Sequence, residues 1–133
     1  MNFVDTNIIL RYLMADDPAK ARACAALFKT AVERKQILWT THLVMAEVIW
    51  VLEKFYKIPR TEIAEAVLKI LNTTILEIEE KDVVMSAVGL YQLKKIDFID
   101  AYHAMMMLEW GVHTLYSYDE DFDLIPALQR MEP

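Results

Sequence analysis

The residues best equipped for chemistry in this chain are carboxylates. Asp5 follows the short run Asn2–Val4. Glu47 stands alone within the apolar segment 43–52. Asp97 and Asp100 open a helical stretch, and Asp119, Glu120, Asp121 and Asp123 crowd one turn. Hard oxygen donors of this kind favour Mg²⁺ or Mn²⁺. Each group also has a purely structural account. Glu47 has Leu43, Val44, Trp50 and Val51 as helical neighbours. Such a charge either reaches solvent at the helix margin or must be paired or metal-bound. Asp97 can cap free backbone N–H groups and Asp100 can favour the helix dipole, and spacing alone favours that account of both. The acidic turn can be a solvated loop, at least at Glu120.

Other chemistries find little support. His42, His103 and His113 are scattered, and no Cys/His spacing suggests zinc. The acidic turn lacks the ligand spacing, Gly and terminal Glu of a calcium loop. No G-x-S-x-G elbow occurs. With 2 Gly in 133 residues, neither a P-loop nor a dinucleotide fingerprint can be written. The net charge of −6 argues against coating DNA by bulk electrostatics. It leaves room for a nuclease whose bound cations meet the phosphate. Cys24 is the lone cysteine, so no intrachain disulfide is available, and Ala23, Ala25 and Leu27 around it suggest a core filler. No signal peptide or bilayer-spanning stretch is evident, and a reducing cytoplasm fits. The hydrophobic fraction of 56% exceeds the usual share and suggests apolar surface kept for a partner or a second copy.

The elements that must position the carboxylates alternate strand and helix, the pattern of a parallel sheet covered by helices. Strands are expected at 2–4, 37–40, 74–78 and 113–117, with a short edge strand at 127–131. Helices are expected at 8–14, 19–34, from 41 or 42 to about 56, 61–71, 80–94 and 98–110. Pro18 marks a helix start after an Asp cap, and Thr61 is a possible cap for the fourth helix. The whole chain, 1–133, reads as one domain. In open α/β sheets, sites form beyond the carboxyl ends of the strands. If the first and fourth strands are neighbours, Asp5 and Asp119 converge on one sheet edge.

Together these features resemble a known family. Val4-Asp5-Thr6-Asn7 after a strand, Glu47 in an apolar helix, Asp97-Phe98-Ile99-Asp100-Ala101 opening a helix, and Ser117-Tyr118-Asp119-Glu120-Asp121-Phe122 after a strand look like the PIN domain. Leu10-Arg11-Tyr12-Leu13 with Asp16-Asp17-Pro18 is similar to the prokaryotic VapC toxins. The resemblance implies a three-layer α/β/α sandwich around a short, mainly parallel sheet of four to five strands. It implies a metal-dependent endoribonuclease using Mg²⁺ or Mn²⁺. Asp5, Glu47, Asp100 and Asp119 would be its acidic quartet and metal ligands, meeting in one pocket. Thr6, Ser117, Asp97 and Asp121 would support them, and Asp121 or Asp123 could share the role given to Asp119. Arg11, Lys94 and Lys95 are candidate phosphate contacts, although a basic residue is usually a solvated face. An RNA substrate, a small antitoxin that reaches into the acidic groove and a homodimer are the implied partners. The stripe of Ala101, Met105 and Leu108, with Met106, Met107 and Trp110, is expected to be mostly core, with a dimer face as its second use.

Two other readings share parts of this pattern. A PIN nuclease in RNA processing keeps the chemistry and has no antitoxin. A catalytically silent interaction domain binds Mg²⁺ and cleaves nothing. A receiver would need an acidic partner beside Asp5 and a Lys after the fourth strand. A dehalogenase-type phosphatase would need an Asp where Asn7 stands.

Overall fold

The computed structural model describes all residues, 1–133, and the chain forms two compact units, Met1–Lys81 and Asp82–Pro133. Each is built from helices and short parallel strands.

In the first unit, β1 (Asn2–Phe3), β2 (Leu38–Thr40) and β3 (Leu76–Ile78) form a parallel sheet in that order. Asn2 faces Leu38, and Leu38 faces Leu76. Strands β2 and β3 alternate buried and exposed residues, as a period of two requires. The helices are α1 (Thr6–Leu13), α2 (Pro18–Glu33), α3 (His42–Lys54) and α4 (Arg60–Leu71). Helix α1 packs on α2 and α3, and α3 packs on α4. Ile9, Met45, Val48, Ile63 and Leu71 are sealed from solvent. Asp17 caps α2 by accepting from the Lys20 N–H at 3.2 Å, with Pro18 at the first helical position. Thr41 caps α3 by accepting from the Val44 N–H at 3.3 Å. Caps of this kind contribute about 1 kcal/mol each.

In the second unit, which takes all of α5 (Lys81–Leu93) but its first residue, α5 and α6 (Phe98–Glu109) precede β4 (Thr114–Tyr116), a 3₁₀ turn over Glu120–Leu124, and β5 (Gln129–Met131). Strands β4 and β5 pair in parallel, Leu115 facing Arg130. Val84, Ala87, Val88, Ala101 and Ala104 are buried, and Tyr91 meets Phe98 edge-on at 6.4 Å. Gly111 ends α6 with φ +72°, a left-handed conformation that glycine adopts without strain.

All the expected elements are present, and every strand pairing is parallel. The strands form ladders of three and two rather than one sheet; β1 bonds to β2, and β4 bonds to β5. The cap of α4 is Pro59 and not Thr61, which lies inside the helix. The fixed φ of proline suits that entry. Cys24 is buried, as expected of a core filler. The Met-rich stripe of α6 is only partly buried: Met105, Met106, Met107 and Leu108 are half-buried and Trp110 is exposed. No helix is long and apolar enough to cross a membrane.

Candidate metal-binding acidic sites

In the first unit, Asp5 is placed by the end of β1. The Val4 N–H donates to the Trp39 carbonyl at 2.8 Å. The buried Thr40 hydroxyl donates to the Val4 carbonyl at 2.7 Å. The backbone is therefore fixed one residue before the carboxylate. Asp5 then occupies the N-cap of α1, yet its side chain makes no capping hydrogen bond. An exposed carboxylate at a helix start, not spent on the helix, is available to a ligand.

Glu47 follows from α3. Its carboxylate is exposed, so the solvent-margin reading of this residue holds. It is also gripped: the Thr6 hydroxyl donates to Glu47 Oε2 at 2.8 Å. Thr6 is only 4% exposed. A buried hydroxyl needs a partner, and here it orients a carboxylate. Beyond Glu47 lies a concavity of about 290 Å³ lined by Thr6, Asn7, Arg11, Glu47, Trp50 and Phe55, among others. Arg11 stands in that wall, and its Nη1 pairs with Asp16 at 3.2 Å. The larger hollow of this unit, about 570 Å³, lies elsewhere, along Tyr12, Phe28, Val32 and Ile70.

In the second unit, α6 presents Asp100 in its first turn. The Asp100 carboxyl titrates above the ordinary carboxylate range. Burial is the leading cause, followed by repulsion from Asp119 and then Asp97, with His103 opposing and a hydrogen bond to Asp119 adding to the rise. Asp100 and Asp119 therefore crowd each other. Asp97 is the N-cap of α6 but makes no side-chain capping bond, so capping does not account for it. Lys94 and Lys95 are exposed just before it.

Asp119 is held by its own turn. Its N–H donates to the Ser117 hydroxyl at 3.0 Å, and its Oδ1 accepts from the Asp121 N–H at 2.9 Å. Arg130 fixes the far side of the turn. Its Nε and Nη2 donate to the two Asp123 carboxylate oxygens, each at 3.1 Å. Its Nη1 donates to the Ser117 carbonyl at 3.0 Å and to Glu132 at 2.8 Å. This bidentate pairing holds the guanidinium proton more tightly than usual. Asp123 is thereby paired with Arg130, and the Asp121 N–H acts as a donor to Asp119. Within the turn, Asp119 is the carboxylate that bears on Asp100. A concavity of about 480 Å³ is lined by Asp100, His103, Tyr116 and Ser117, among others.

The structure thus joins Thr6 to Glu47 and Asp100 to Asp119. No group of three or more His, Cys, Asp or Glu side chains is drawn together as a ready-made metal cage. The donor set nevertheless fits a hard cation. It consists of carboxylates, and the crowding at Asp100 is what a divalent charge relieves. Sequence reasoning missed Thr40 and Arg130. A strand hydroxyl and a late arginine acquire their roles only through strand register.

The sequence matches the family model of the PIN domain over residues 3–128. This chain belongs to the PIN-domain family. The matched stretch spans both units, and the helix-rich α/β architecture with parallel strands is the one expected for a PIN domain. A VapC ribonuclease of Aquifex aeolicus (strain VF5) is 25% identical over 122 residues, covering 92% of this chain and 90% of that protein. Among solved structures, Mycobacterium tuberculosis VapC20, a toxin that cleaves the sarcin–ricin loop, aligns over 100% of both chains with 20% identity and a TM-score of 0.46.

Proposed function

We propose that this PIN domain is a metal-dependent endoribonuclease that cleaves RNA phosphodiester bonds by water attack, and that it is the toxin of a toxin–antitoxin pair. The observation that carries this reading is the crowded carboxyl pair Asp100–Asp119, a charge arrangement suited to a divalent cation. Family membership over residues 3–128 and the VapC ribonuclease relative support the activity and the toxin role.

Asp5, Glu47, Asp100 and Asp119 are the proposed ligands of Mg²⁺ or Mn²⁺. Bound there, a divalent cation supplies Lewis acidity for phosphodiester hydrolysis. Asp100 must give up its proton before it can ligate, so affinity for the cation rises with pH. Thr6 ties down Glu47 Oε2 and leaves Oε1 for a ligand or an ordered water. The Asp121 N–H does the same for Asp119, occupying Oδ1. Ser117 and Arg130 hold the turn that carries Asp119. Asp97 adds negative charge near Asp100. Arg11, Lys94 and Lys95 contact RNA phosphates. Water attack at phosphorus leaves a 5′-phosphate and a 3′-hydroxyl. A small antitoxin that enters the acidic groove, a homodimer and a cytoplasmic setting complete the proposal.

Purified protein should cleave RNA with Mg²⁺ or Mn²⁺ and stop on addition of EDTA, and Asp5→Asn should be inert. Cleavage that survives both controls would remove the metal mechanism. If cleavage and its salt dependence are unchanged in Lys94→Ala with Lys95→Ala, those two residues play no part in RNA contact. A co-purifying small protein that blocks cleavage supports the toxin role.

A further inference from the structure

The concavity beside Glu47 has exposed aromatic lining, which a metal site alone does not require. Trp50 lies one helical turn beyond Glu47 on α3, and Phe55 caps the end of that helix. They are 61% and 73% exposed, although both line the same concavity as Glu47, Thr6 and Arg11. This corner is braced. The Phe55 and Tyr56 rings meet edge-on at 5.1 Å. The Tyr56 hydroxyl donates to Asp16 Oδ2 at 2.8 Å, and the other oxygen of Asp16 takes Arg11. A ring braced like Phe55 and left open to solvent incurs little ordering cost when a flat partner arrives.

We propose that Trp50 and Phe55, with Arg11 and Asn7 at the rim, form a stacking subsite for one unpaired nucleobase of the RNA, next to Glu47. The inference rests on the ribonuclease reading and specifies how its substrate is held. The chemistry of the lining favours this occupant. An indole and a phenyl face offer stacking surface. The Asn7 amide offers hydrogen bonds to a base edge, the Tyr56 oxygen can accept one, and the remaining guanidinium donors of Arg11 offer contact to a phosphate or a base. A volume of about 290 Å³ is enough for a single nucleobase. Asp16 is a positioning residue here, because it holds both Arg11 and Tyr56.

The test uses Asp5→Asn protein, which binds without cutting, and a single-stranded RNA with 2-aminopurine placed at successive positions. Binding should quench the probe at one position, as stacking does. Adding Trp50→Ala should weaken binding about tenfold and abolish the quench, as expected for the loss of one stacked base. Trp50→Phe should restore most of both, and Phe55→Ala should give a smaller loss. An RNA lacking the base at that position should bind the parent and Trp50→Ala proteins alike. Undiminished binding by Trp50→Ala, or absence of quenching at every position, overturns the subsite while leaving the cleavage test of Asp5→Asn untouched. So does a light-scattering change in Trp50→Ala whose affinity loss is equal for intact and abasic RNA. That result assigns the face to a second copy of the chain.

Discussion

The acidic groups of the two units are held in different ways. In the first unit, the carboxylates are exposed and steadied by neutral groups: Glu47 by the Thr6 hydroxyl, and Asp5 by a backbone pinned through Thr40. In the second, Asp100 is partly buried and pressed by Asp119 and Asp97, so charge repulsion is stored locally. The first arrangement costs little when no cation is present. The second carries repulsion that a bound cation would relieve. Removing charge should therefore affect the two sets of carboxylates unequally.

The comparison breaks most sharply at the carboxylates themselves. Asp5→Asn and Asp100→Asn should each lower RNA cleavage by more than about 100-fold, since outer partners of metal ligands alone are worth 10–100-fold. Steady-state assays at saturating Mg²⁺ check this. Their thermal behaviour should diverge. Without metal, Asp100→Asn should raise the melting temperature by removing the repulsion, and Asp5→Asn should leave it nearly unchanged.

Thr6→Val comes next. It deletes the donor to Glu47 and keeps the volume, so cleavage should fall about 10-fold or more while the fold loses about 1 kcal/mol, the net worth of one hydrogen bond. Equal activity in Thr6→Val would show that Glu47 needs no orientation. Arg130→Ala should have a smaller effect on cleavage. It should act through the turn, and Arg130→Lys should not rescue it, because a lysine cannot span both Asp123 oxygens.

The smallest effect is on pH dependence. The folded-state pKa of Asp100 lies above its unfolded value, so folding favours its protonated form. The penalty is absent below the ordinary carboxylate pKa near 3.8 and fully present above the raised one. The stability of the metal-free protein should therefore fall as pH rises through that window, and Asp100→Asn should remove this component. Added Mg²⁺ should reverse the fall. Denaturant titrations across acidic pH, with and without Mg²⁺, read both signs.

Much of this was legible in the residue order. Pro18 behind Asp17 announced α2, alternation gave β2 and β3, and the carboxylates stood where strand and helix ends put them. What stayed hidden depended on partners distant in sequence. Thr6 and Glu47 are 41 positions apart, and their bond exists only because α1 packs on α3. Arg130 looked like an unremarkable residue of an edge strand until parallel pairing with β4 set it against the acidic turn. Asp97 misled in the opposite direction. Its place before a helix fits a cap by type, yet its carboxylate makes no capping bond.

The Arg130 clamp ties β5 to the acidic turn. A protease nick or a shortened version ending at Leu128 would take away the only side chain shown bridging Asp123, Glu132 and the Ser117 carbonyl. Asp123 would then face Asp119 and Asp121 with no counter-charge from Arg130.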